Sequence, residues 1–190
     1  MGWTKSALSP TAIRLITNDI LINQRRNAIE FGSGLSTIYL GKALQRNSGQ
    51  LVSVEHDRDW FELVSMWVEE AGISETVKLI HSPLDHSNVP SWYGFEPIRT
   101  QLGDGPIDCV IVDGPPTHDP ANATSRAPAA DFVKERLSES FSVFLDDADR
   151  KAERQIAEGW ARELGVQFTL DIGRSGLAYC LAGKSFFIGV

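Results

Sequence analysis

Cysteine is scarce in this chain: there are two in 190 residues, Cys109 and Cys180, far apart and each inside an apolar run. They read as buried free thiols of a reducing compartment, and no paired Cys/His spacing points to zinc. Positive charge is also in short supply. Eighteen Lys and Arg against 25 Asp and Glu give a formal net charge of −7, which argues against a nucleic-acid partner, since phosphates need a basic face. No apolar run approaches the ~18 residues of a membrane span, and the opening "MGWTKS" lacks the apolar core of a signal peptide. Gly2 with Ser6 matches the myristoylation pattern, but the bulky Trp3 fits it poorly and the match is read as chance. "NAT" at Asn122 is a glycosylation acceptor only in a secreted protein. The expectation is a cytoplasmic protein with no membrane partner, whose charge disfavours nucleic acid without removing the room for a local basic patch. A small cationic or zwitterionic ligand is not excluded.

What the chain does have is alternation. Apolar residues at Ile13, Ile16, Ile20 and Leu21 predict a helix over 11–24. "NAIEF" predicts a strand, 35–44 a helix, "LVSVE" a second strand, and 59–71 a helix with Trp60, Leu63, Val64, Trp67, Val68 and Ala71 on its buried face. "VKLIH" is a third strand and "IDCVIVD" the fourth, apolar enough to be covered on both sides. Residues 131–140 predict a helix, "SVFLD" a fifth strand and 148–164 a helix. The tail "VQFTLDIGRSGLAYCLAG" predicts two strands joined by a glycine-containing turn. The alternation implies an α/β fold whose doubly wound, mostly parallel sheet ends in an antiparallel C-terminal pair. Residues 85–105 and 114–129, rich in Pro, Gly, Ser and Asn, are expected to be surface loops. The second would form a substrate rim beyond the strands' carboxyl ends.

The turn "EFGSGLST" carries the most chemistry. Glycine between a strand and a helix lets a ligand approach main chain where a Cβ would collide, and the helix start supplies unpaired N–H groups. A dinucleotide enzyme would use G-x-G-x-x-G, with an acid about 20 residues on for the ribose. Here Thr37 stands where the third glycine belongs, while Glu55, 21 residues after Gly34, suits an adenosine ribose in either ligand class. Glu30 tips the balance. A carboxylate leading into the turn repels a pyrophosphate but suits the ammonium and sulfonium of S-adenosylmethionine.

With those residues in view, "EFGSGLST" resembles motif I (E/D-x-G-x-G) of class I S-adenosylmethionine-dependent methyltransferases. "VSVEHD" looks like their second motif and "IDCVIVDGPP" like their fourth, in the right order from Ala28 to Asp147. The resemblance implies a Rossmann-like sheet of seven strands, the last antiparallel. It also implies one domain over 1–190, with an N-terminal helical segment (1–26) before a core at 27–190. Gly32, Ser33 and Gly34 would line the methionine part of the cofactor, with Phe31, Ser36 and Thr37 completing the turn. Glu30 would steer the amino group, directly or through water, and Glu55 would accept both ribose hydroxyls. His56 or Asp57 would flank the adenine, and Ser82 and Leu84 occupy the region where the family often has an acid near that base.

Asp113 closes the fourth strand, and Asp146 and Asp147 close the fifth. This looks like the metal-dependent, catechol-type O-methyltransferases, in which three oxygen donors hold Mg²⁺ that acidifies a substrate hydroxyl. The pattern departs in two places: Asp147 stands for the expected Asn, and no lysine follows Asp113 closely enough to act as base. The plainer reading has Asp146 capping the next helix and Asp147 or Asp149 favouring its dipole. Without a metal, Asp113 and His118 are the candidate bases, Asp113 also lying beside the cofactor. "SRAPA" (125–129) resembles a substrate-loop element of bacterial methyltransferase-like proteins that share "VDGPP", and Arg126 could clamp a carboxylate or phosphate. Trp92, Tyr93 and Phe95 would either cover the cofactor or an aromatic acceptor, Trp92 being the substrate candidate, or pack over the sheet edge, the latter slightly preferred.

The expected activity is S-adenosylmethionine-dependent methylation of a small-molecule acceptor, with oxygen the preferred atom. The rivals are an NAD-dependent oxidoreductase, against which Glu30 and Thr37 count, and a non-catalytic module that binds the same cofactor.

Overall fold

Seven strands form the central sheet of the computed structural model, which describes residues 7–87, 89–117 and 119–188. β1 (Asn27–Phe31), β2 (Gln50–Glu55), β3 (Val77–His81), β4 (Ile107–Val112) and β5 (Leu137–Leu145) run parallel. With β6 (Thr169–Asp171) and β7 (Leu177–Leu181) the order across the sheet is β3-β2-β1-β4-β5-β7-β6, and β7 runs antiparallel to both β5 and β6.

The near-continuous apolar strands follow from burial on both faces. In β4, Cys109 and Ile111 enter one core while Val110 and Val112 enter the other. α1 (Pro10–Ile22), α2 (Leu35–Arg46) and α3 (Arg58–Glu70) cover the first face with Ile16, Leu40, Leu44, Val64 and Val68. α4 (Phe95–Gln101), α5 (Pro128–Val133) and α6 (Lys151–Leu164) cover the second with Ile98, Val133, Ile156 and Trp160. Each such side chain contributes roughly 1.5–3 kcal/mol on burial. Both cysteines are buried and free, and burial pushes their thiols up. Among the described residues no helix is long and apolar enough to cross a membrane.

A buried polar network fixes α1 to the sheet. Asp19, fully enclosed, pairs with Arg25 at 3.1 Å and accepts a 2.6 Å hydrogen bond from Ser142 in β5. Arg25 also donates to the Ser140 carbonyl at 3.0 Å.

β1 pairs with β2 on one side and β4 on the other. The chain therefore leaves β1 in one direction and later returns to its opposite edge. That reversal opens a crevice beyond the strands' carboxyl ends.

Three expectations need correction. Residues 85–105 are not simply surface loop: Leu84–Asp85 and Trp92–Tyr93 form a short antiparallel ladder, followed by α4. The reason is aromatic burial, since Trp92 and Tyr93 pack on Phe31 with ring centroids 5.1 and 5.9 Å away. Residues 114–129 likewise turn inward at Ser125 and Arg126, both buried. The helix expected over 131–140 ends early. α5 stops at Val133, a 3-10 turn follows at Lys134–Arg136, and Leu137 already pairs with Ile107 at the start of β5.

Candidate active site

A cavity of about 720 Å³ fills the crevice. One wall is the β1–α2 turn, Gly32 to Ser36, and the next is the end of β2 with Glu55, His56 and Asp57. Opposite stand Asp113, Gly114, Pro116 and Thr117 after β4, with Asp146 and Asp147 after β5. At Gly34 a Cβ would meet no protein atom within 4 Å, so the turn is bare toward the cavity. The Trp60 indole N–H, donating to the Ser33 carbonyl at 2.8 Å, holds that turn against α3.

Glu55 is buried at the cavity wall, and its carboxylate is a hub. Oε2 accepts from the Ser33 amide and hydroxyl, both at 3.1 Å. Oε1 accepts from the His56 and Asp57 amides at 2.8 and 2.9 Å and faces His56 Nδ1 at 2.8 Å. Burial alone would raise its pKa; the His56 ring, the Asp57 amide and the Ser33 hydroxyl outweigh that and hold it below the ordinary glutamate value.

Glu30 is placed differently from expectation. It is fully enclosed and does not line the cavity. Its carboxylate accepts three hydroxyl hydrogen bonds of 2.6 Å, from Ser36, Thr37 and Ser53. Thr37 in turn accepts from the Gly34 amide at 2.9 Å, so Glu30 shapes the turn from behind. Burial pushes its pKa up, against the pull of the three hydroxyls.

Across the cavity, Asp113, Asp146 and Asp147 each present an oxygen within 4.8 Å of the others. Arg126, with only 4% of its side chain exposed, threads among them. It lies 3.0 Å from Asp147 and 3.7 Å from Asp113, and donates to the Asp113 and Asp146 carbonyls. Arg150 meets the same Asp147 oxygen at 3.0 Å. Burial, then repulsion from Asp146, lifts the Asp113 carboxyl well above its ordinary value. Burial and Asp147 raise Asp146 to about 6. Neither Asp146 nor Asp147 caps α6, whose N-cap is Arg150.

The remaining sequence candidates scatter. Gly32, Ser33, Gly34, Ser36, Glu55, His56 and Asp113 come together on the cavity; Phe31, Thr37, Ser82, Leu84 and Trp92 do not line it. Ser82 is buried, with its hydroxyl on the Gly94 carbonyl at 2.8 Å, and Trp92 is spent on Phe31. Arg126 is no free clamp, since its guanidinium is committed to the chain's own acids and carbonyls. His118 lies outside the described residues. Of the aromatic patch named from the sequence, Tyr93 alone lines the cavity, and lining not foreseen comes from Trp60, Leu63, Trp67 and Arg150. The two tryptophans were legible as apolar positions of α3, but its buried residues are Val64 and Val68. The apolar arc was wider than one core contact needs, which was the available signal. The Tyr93 hydroxyl is buried without a hydrogen-bond partner among the described residues.

A family model described as a methyltransferase domain matches residues 29–148. The chain belongs to that family. The match runs from β1 through Ala148, so it spans the glycine turn, Glu55 and the three aspartates of this methyltransferase domain. No curated protein matches it by sequence. Its fold is shared with the O-methyltransferase TomG of Streptomyces achromogenes, involved in tomaymycin synthesis and solved with SAM. That alignment has 21% identity over 94% of this chain and 82% of that one, with a TM-score of 0.67. An O-methyltransferase from Bacillus cereus in complex with SAH aligns at 17% identity over 95% and 84%, TM-score 0.70. The SAH-bound methyltransferase PaMTH1 of Podospora anserina gives 13% over 94% and 81%, TM-score 0.72.

Proposed function

We propose that this methyltransferase domain binds S-adenosylmethionine in the crevice and transfers its methyl group to an oxygen of a small molecule. The observation that carries the reading is the pairing, across one cavity, of a bare glycine turn beside an ionised Glu55 with a raised-pKa Asp113. The fit to the cofactor rests on three features. There is room at Gly34 for ligand atoms in van der Waals contact with main chain. Glu55 is a carboxylate able to accept from ribose hydroxyls, and Tyr93 offers a buried hydroxyl in want of a partner. The two O-methyltransferases that share the fold support oxygen as acceptor atom.

When bound, the cofactor supplies a methyl group on a positively charged sulfur that departs as a neutral thioether. The chain's own part is positioning and proton removal. Gly32 to Gly34 would hold the methionine portion, and Glu55 the ribose. His56 and Asp57 would border the base. Asp113 would take the proton of the acceptor hydroxyl onto its carboxylate, whose affinity for a proton is raised by burial and by Asp146. Trp60, Leu63 and Trp67 give the cavity an apolar wall. No feature of the site favours a nicotinamide: among the residues that line it there is no third turn glycine and no hydride-transfer set.

The direct test is turnover. A panel of phenolic, alcoholic and amine acceptors is incubated with S-adenosylmethionine and the demethylated product is measured. Phenol or alcohol turnover that falls at least tenfold in Asp113→Asn supports the reading; turnover confined to amines contradicts the oxygen assignment.

A further inference from the structure

We infer that the Arg126 guanidinium is the resident cation of the Asp113–Asp146–Asp147 cluster, holding the place of a divalent ion, so that the site works without metal. The functional half of this rests on the methyl-transfer reading; the occupancy of the cluster does not.

Spacing alone would admit a metal, because three carboxylate oxygens within 4.8 Å of one another could close on an octahedral ion with little movement. Occupancy argues otherwise. All three guanidinium nitrogens are used: Nη2 on Asp147 Oδ2 at 3.0 Å and on the Asp113 carbonyl, Nη1 on the Asp146 carbonyl at 3.1 Å, and Nε on the Pro115 carbonyl at 3.4 Å. Nη1 also lies 3.9 Å from Glu153. One side chain thereby touches each of the three acidic residues, through carboxylate or main chain. The guanidinium brings a full positive charge to the cluster. A doubly charged ion entering the same half-buried cluster would meet that positive charge at close range and be repelled by it.

The sequence departure fits the same account. Position 147 carries Asp where the metal-dependent pattern has Asn. A carboxylate would serve a divalent ion at least as well as an amide, so what decides is which partners it holds here. Asp147 Oδ2 receives two of them, Arg126 and Arg150, each at 3.0 Å. Arg126 cannot swing aside easily. Its flanking backbone is stapled to α6 by the Trp160 indole, which donates to the Ala127 carbonyl at 2.9 Å.

Mn²⁺ is the probe, followed by loss of the free aqua-ion signal in electron paramagnetic resonance, with S-adenosylmethionine affinity measured on the same samples by calorimetry. Wild type is expected to leave the Mn²⁺ signal unchanged up to millimolar ion. Arg126→Met, which keeps an unbranched apolar stem but removes the guanidinium, is expected to take up one ion per chain, a gain that a merely structural arginine would not give. Uptake of one ion per chain by wild type, abolished in Asp146→Asn, overturns the inference. So does a folded Arg126→Met that takes up none. If Arg126→Met does not fold, the wild-type titration decides by itself in the same two directions. Loss of cofactor binding throughout would instead count against the methyl-transfer reading and leave the Mn²⁺ result standing.

Discussion

Gly32 and Gly114 press main chain against main chain, one at the end of β1 and the other just after β4. A Cβ on Gly32 would lie 2.7 Å from the Gly114 amide nitrogen, and one on Gly114 would run into the Tyr93 hydroxyl. Gly32 also holds a φ of +94°, in the left-handed region that side chains avoid. The first glycine of the turn therefore serves strand packing, and the second, Gly34, leaves the cavity open. Gly32→Ala is expected to lower stability by about 1–3 kcal/mol from the forced contact alone, with the backbone conformation adding to it. Denaturant melts would show a shifted midpoint at unchanged slope. Gly34→Ala should melt like wild type and lose ligand affinity instead.

Glu30 permits a separation of charge from shape. Glu30→Ala strands three buried hydroxyls and should cost roughly 1–3 kcal/mol or more. Glu30→Gln keeps acceptors and donors for the same hydroxyls without a buried charge. The folded-state pKa of Glu30 lies above its unfolded value, so folding favours the protonated form. Its contribution is full below the unfolded pKa and is lost as pH rises through the folded one. Relative to wild type, Glu30→Gln should therefore gain stability as pH goes from acid to neutral. Paired thermal melts at the two ends of that window check the sign.

The Tyr93 hydroxyl gives a test that separates a ligand contact from a packing role. It is buried and has no hydrogen-bond partner among the described residues, and burying such a group costs about 1–3 kcal/mol. Tyr93→Phe should leave the ligand-free melting temperature equal or higher while shrinking the rise on adding S-adenosylmethionine. A lower ligand-free melting point with an unchanged ligand-induced rise would assign the hydroxyl to packing.

Much of this arrangement was legible in the chain. The run 107–112 reads as a strand covered on both faces and 27–31 as a short strand, and the glycine turn after the latter marks where the crevice opens. Glu55 was visible by its distance from that turn. Side-chain direction was not. Glu30 sits two residues before Gly32, where a direct reach to the ligand is one reading of the sequence, yet three hydroxyls, two of them on α2, hold it behind the turn. Arg126 and Tyr93 come from segments whose Pro and Gly content suggested surface loop. Their burial depends on aromatic stacking against Phe31 and on ion pairs with β5-end acids distant in sequence, which no local periodicity encodes.

Calorimetric titration of S-adenosylmethionine into wild type and Glu55→Gln, with NAD in parallel, tests the central claim most directly. The account predicts saturable binding at one site per chain for S-adenosylmethionine, at least tenfold weaker binding in Glu55→Gln at unchanged fold, and no heat from NAD. Binding of NAD with none of S-adenosylmethionine, or an affinity for the latter untouched by Glu55→Gln, would contradict it.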